Sequence, residues 1–85
     1  MTLIQLVQQQ ISKGWCHKYQ NSESSIFSME VLHKDWMVVE ICFRRSRTLK
    51  GRKCPDRFLS AVVIDNEQEL EFKTLSELKE WFSTK

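Results

Sequence analysis

Between residues 36 and 43 the apolar side chains of Met37, Val39, Ile41 and Phe43 fall on every second position, within a run rich in β-branched and aromatic residues. Successive side chains of a strand point to opposite faces, so this alternation calls for an extended segment with one buried face. The segment before it, residues 26–31, places Phe27, Met29 and Val31 in one phase and Ser28 and Glu30 in the other. Joined by a short turn at His33, Lys34 and Asp35, the two segments read as a β-hairpin, although the turn lacks the Asn-Gly pair that favours tight hairpins. Residues 58–65 form a third predicted strand, residues 65–67 a turn, and residues 69–73 a short fourth strand with Leu70 and Phe72 pointing inward.

Helical periods flank these strands. Thr2 stands three residues before Gln5, the spacing of a capping box, and Leu3, Ile4, Val7 and Ile11 then recur at helical intervals up to Gly14, a suitable C-terminal cap. A helix over residues 3–13 follows. Residues 20–25 are polar and turn-rich and read as a loop. Near the other end Thr74 and Glu77 repeat the capping-box spacing, and Leu75, Leu78, Trp81 and Phe82 make one apolar stripe ending near Ser83.

The expected order is α-β-β-β-β-α. It implies an α+β fold with a four-stranded antiparallel sheet and the N- and C-terminal helices packed on one face. Phe27, Met29, Val31, Met37, Val39, Ile41, Phe43, Leu70 and Phe72 would face the helices, and Glu30, Glu40, Glu69 and Glu71 would line the opposite face. Eighty-five residues, 41% hydrophobic, with two glycines and one proline, fit one folded domain over residues 1–85.

Charge is distributed unevenly. Residues 44–57 hold seven of the thirteen basic residues, Arg44, Arg45, Arg47, Lys50, Arg52, Lys53 and Arg57, opposed there only by Asp56. This window carries a net +6 and the remaining 71 residues a net −4, which the formal total of +2 conceals. Gly51 and Pro55 interrupt regular structure within it, so it reads as a long basic loop at about 44–57, or as two strand extensions joined by a flexible tip. Clustered Lys and Arg gain affinity for nucleic acid by releasing counterions from phosphates, which makes DNA or RNA the first expected partner. Tyr19 and Trp36 are candidate stacking neighbours. The alternative is protein–protein interaction, as an adaptor or inhibitor or by formation of a homodimer, through the acidic face of Glu30, Glu40, Glu69 and Glu71.

The residues offer little to catalysis. Cys16, Cys42 and Cys54 form no Cys-x-x-Cys pair, and a zinc site would need Cys16, His17, Cys42 and Cys54 to converge from distant positions. The thiol-phosphatase pattern requires Arg six positions after Cys, where this chain has Ser22, Thr48 and Ser60. Lys53, Arg52 and Arg57 near Cys54 favour its thiolate, which makes redox sensing through Cys54 a further alternative. His17 and His33 have no partner at a recognisable catalytic spacing. The expectation is therefore a binding protein with no enzymatic activity, cofactor or metal. Unpaired cysteines and an amino terminus without a basic, apolar leader point to the cytoplasm, and no run approaches the ~20 apolar residues of a membrane span. An α-β-β-β-α order also occurs in double-stranded-RNA-binding domains, but their lysine cluster at the start of the last helix is replaced here by Thr74-Leu75-Ser76-Glu77, so no membership follows.

Overall fold

The computed structural model describes residues 2–21, 27–45, 47–54 and 57–85. Helix α1 (Leu3–Ser12) leads into strands β1 (Cys16–Asn21), β2 (Phe27–Lys34), β3 (Met37–Arg44), β4 (Arg47–Leu49), β5 (Arg52–Cys54), β6 (Arg57–Asp65) and β7 (Gln68–Phe72), followed by helix α2 (Leu75–Ser83). The main sheet is antiparallel in the order β1-β2-β3-β6-β7, and β4 pairs with β5 separately. The α+β class and the terminal helices agree with the sequence pattern. The main sheet has five strands where four were expected, because Cys16–Asn21 pairs along the outer edge of β2. Gln20 and Asn21 thus belong to a strand where a loop was anticipated, and the rest of that expected loop lies outside the described residues.

Both helices begin as their sequences dictate. The Thr2 hydroxyl accepts from the Gln5 amide at 3.2 Å while the Gln5 side-chain carbonyl accepts from the Thr2 amide at 2.9 Å, a reciprocal capping box. At the other end the Trp15 amide donates to Gln10 O and the Gly14 amide to Ile11 O, with Gly14 at φ 99°. This is a Schellman motif, in which the left-handed residue is best supplied by glycine. In α2 the Thr74 hydroxyl accepts from the Glu77 amide and donates to the Glu77 carboxylate, so the second cap is closed through the side chains.

Leu3, Leu6 and Val7 of α1, and Leu78 and Phe82 of α2, are buried with Leu32, Met37, Val39, Ile41, Phe43, Ala61 and Val63 in one cluster. Trp15, just past α1, packs edge-on against Phe82 and Trp81 at centroid distances of 5.2 and 6.2 Å, which ties the end of α1 to α2.

The alternation in β3 is read correctly, since Met37, Val39, Ile41 and Phe43 are all buried. In β2 the phase is inverted. Leu32 is fully buried and Ser28 nearly so, whereas Phe27 is 50% exposed and Met29 and Val31 are half-buried on the open face. The cause is the length of the turn. A three-residue turn at positions 33–35 would set Val31 beside Met37, but Lys34 pairs with Met37 and only Asp35 and Trp36 turn, with Asp35 at φ 55°. One residue of register exchanges the two faces of a strand. Consequently Leu32 lies opposite Val39, Glu30 opposite Ile41 and Ser28 opposite Phe43, all on the helix-covered face.

Leu32→Ala should therefore cost about 2–5 kcal/mol, against under about 1 kcal/mol for the half-exposed Phe27→Ala. Urea unfolding of both variants checks this, and a larger loss at Phe27 would restore the other register.

Candidate nucleic-acid interface

The basic window is built on the β3–β6 pairing. Arg44 pairs with Arg57 at the end of the main sheet. Beyond it Arg47 pairs with Cys54, Thr48 with Lys53 and Leu49 with Arg52. Three residues forward from Arg44 to Arg47 match three residues back from Arg57 to Cys54, so the two pairings share one residue offset, with residues 46, 55 and 56 between them outside the described residues. Within the window read from sequence as a long loop or as two strand extensions with a flexible tip, the described residues form the short paired strands β4 and β5. The tip is Lys50–Gly51, at φ 51° and 76°, and two consecutive positive φ values are what a tight type I′ hairpin turn requires. Glycine accepts such an angle at no steric cost.

A β-bulge precedes the ribbon. Cys42 pairs with Ser60 but Phe43 with Phe58, which leaves Leu59 as the extra residue. Bulges increase local twist and re-aim a strand. Here the shift keeps Phe58 against the core beside Phe43, and Leu59 is turned out toward solvent. Beyond this point, among the described residues, β4 and β5 pack chiefly against each other. The molecule measures 43 × 26 × 22 Å, and the three steps from Arg47 to Lys50 span about 10 Å at roughly 3.3 Å per residue.

At the base of the ribbon two like charges stand directly opposite. Cross-strand partners have Cβ atoms about 4.5–5.5 Å apart, and like charges there are destabilising. The Nε of Arg44 is buried with no hydrogen-bond partner among the described residues, and neither Arg44 nor Arg57 has an ion pair among them. A buried guanidinium donor left unpaired opposite a second guanidinium is a place where an anion would relieve both costs. Arg45, Lys50 and Arg52 continue this charge along the ribbon, and the backbones of Arg47 and Lys53 take their places in it. Asp56 and the side chains of Arg47, Lys53, Cys54 and Tyr19 lie outside what the structure describes, and with them the reactivity suggested for Cys54.

The other expected groupings are partly separated. Glu40, Glu69 and Glu71 do share the open face, since Glu40 lies opposite Val62, Val62 opposite Glu71, and Ile64 opposite Glu69. Glu30 does not join them. The inverted phase of β2 puts it on the helix-covered side, where its carboxylate meets His17 Nε2 at 3.6 Å. Trp36 is 66% exposed, but it occupies the β2–β3 turn, at the opposite end of β3 from Arg44, with its indole N–H on Asp65 at 3.1 Å. It cannot stack a ligand held by the ribbon. The half-buried apolar residues Met29, Val31, Val38 and Val62 surround Glu40 on the open face, where the sequence pattern implied an acidic surface.

Among the described residues no three His, Cys, Asp or Glu side chains are grouped to hold a metal ion. Among the described residues no helix is long and apolar enough to cross a membrane. A shallow depression of about 330 Å³ beside α2 is lined by Phe72, Glu77, Glu80, Trp81 and Thr84. Comparison with protein-family models, curated proteins and solved structures finds no match for this chain.

If Arg44 and Arg57 repel each other, Arg57→Thr should stabilise the protein by about 0.2–1 kcal/mol at low ionic strength. The gain should shrink near ~1 M salt, where charges are screened within about 3 Å. Urea unfolding at the two salt concentrations measures it, and a loss of stability at low salt would show that the pair is compensated.

Proposed function

We propose that this protein associates with nucleic acid through the β4–β5 ribbon, by contacts to phosphates with little preference for sequence and without chemical catalysis. The observation that carries this reading is the one residue offset shared by the pairs from Arg44–Arg57 to Leu49–Arg52, which turns a sequence cluster of charge into an ordered two-stranded arm. Arg44, Arg45, Arg47, Lys50, Arg52, Lys53 and Arg57 are all carried on that arm or at its base. A bare two-stranded ribbon is marginally stable in water. Its retention as the most cationic part of the molecule favours a role in binding over one in stability.

A second reading rests on the open face. Glu40, Glu69 and Glu71 are complementary to the ribbon, and a second copy of this chain is the partner that carries such a ribbon. In this reading the ribbon of one copy docks on the acidic face of another. Glu40→Lys with Glu69→Lys would then abolish a dimer seen by sedimentation velocity, whereas a monomer for both proteins at every concentration would rule it out.

For the principal reading, fluorescence polarisation with labelled DNA and RNA across a salt series is the test. If ~5 phosphates are neutralised, log K falls against log salt with a slope of about −4 to −5. The variant Arg45→Ala, Arg47→Ala, Arg52→Ala, Lys53→Ala should bind weakly at every salt concentration and show a shallower slope. Affinity that stays level between low and physiological salt contradicts phosphate binding.

A further inference from the structure

We propose that the ligand of the β4–β5 ribbon is B-form double-stranded DNA entered through its major groove, a deepening of the nucleic-acid reading above. Three independent features lead there, from shape, charge and composition.

The first is shape. Neighbouring strands lie about 4.8 Å apart, and with side chains on both flanks a two-stranded ribbon fills a groove about 12 Å wide, the width of the B-form major groove. The minor groove, at about 6 Å, would have to be widened to admit it, at a cost in DNA deformation. The major groove of A-form RNA is deep and narrow and closed to side chains. From Arg47 to the Lys50 tip the ribbon advances about 10 Å, close to the groove's depth of about 8.5 Å. With the tip at the groove floor, the Arg47–Cys54 pair comes level with the rim phosphates, and the Arg44–Arg57 pair lies outside the groove, beyond the rim.

The second is the distribution of charge. Arg47 lies on one strand, Arg52 and Lys53 lie on the other, and Lys50 is at the tip, so both strands of the ribbon carry basic residues. A groove has phosphates on both walls. A flat surface or a lone strand needs charge on one side only.

The third is what the window lacks. Single strands are gripped by aromatic side chains on which bases stack, and residues 44–57 contain no Phe, Tyr or Trp. The exposed Trp36 sits at the far end of β3.

The decisive variant breaks the ribbon and keeps every charge. Gly51 has φ 76°, and proline, fixed near −65°, cannot adopt it. Gly51 has nothing within 4 Å of where a side chain would begin, so damage from Gly51→Pro is confined to the turn. Thr48→Pro is a second charge-neutral break, and the near-ultraviolet dichroism of the Trp15–Trp81–Phe82 cluster reports whether each variant remains folded.

Polarisation titrations of the full chain with duplex DNA, duplex RNA and single-stranded DNA of equal length, at one low salt concentration, test the assignment. Duplex DNA should bind at least about tenfold more tightly than the other two. Gly51→Pro should erase that preference while sparing the weak binding to single strands. Methyl green, which occupies the major groove, should displace the protein, and netropsin, which occupies the minor groove, should not. Equal affinity for all three nucleic acids, unchanged by the proline variants, would overturn groove entry and leave phosphate binding standing. No binding to any of them would overturn both.

Discussion

The pairing of β3 with β6 is the constraint on which the rest of the molecule depends. Its inner half sets Val39 against Val63 and Ile41 against Ala61, at the centre of the core that both helices cover. Its outer part, beyond the Phe43–Phe58 pair that still packs against the core, leaves the core and leads to the basic ribbon. One hairpin therefore serves two physical regimes. Burial of apolar surface holds the inner half. In the outer part backbone hydrogen bonds and a turn of two positive-φ residues hold the strands together against the repulsion of their own charges. The stable part provides the anchor that a free ribbon of this length would lack.

The same coupling explains why charge and apolar surface are segregated. Strand β2 flanks β3 from Met37 to Arg44, β7 flanks β6 from Ala61 to Asp65, β1 pairs along β2, and the helices close one side. The acidic residues Glu69 and Glu71 lie on the edge strand β7, where exposed charge also discourages pairing with other sheets. The opposite charge is collected on the extension, away from the helix-covered core.

Much of this arrangement was legible in the sequence. The alternation of β3, the apolar stripe of α2 and the caps at Thr2, Gly14 and Thr74 are local signals, and each marks the element it implies. The phase of β2 was not legible, because both of its faces carry apolar residues and the choice between them depends on whether the turn holds two residues or three. That one uncertainty moved Glu30 from the helix-covered face, beside His17, into a supposed acidic patch with Glu40, Glu69 and Glu71. Strand β1 was missed for another reason. Cys-His-Lys-Tyr-Gln-Asn has no alternating apolar series, and an edge strand is held largely by pairing with its neighbour. The residues of the basic window were plain from composition, but their ordering into one ribbon depends on a register shared across distant positions.

The central claim is that this ribbon is the part of the molecule that meets nucleic acid. The most direct measurement is a titration of isotopically labelled protein with a short DNA duplex, followed by NMR through the backbone amide shifts. The account predicts progressive shifts along β4 and β5 and at Arg44 and Arg57, with α1, α2 and β7 undisturbed. Shifts centred on Glu69 and Glu71 or on the helices, or none along the ribbon at low salt, would contradict it.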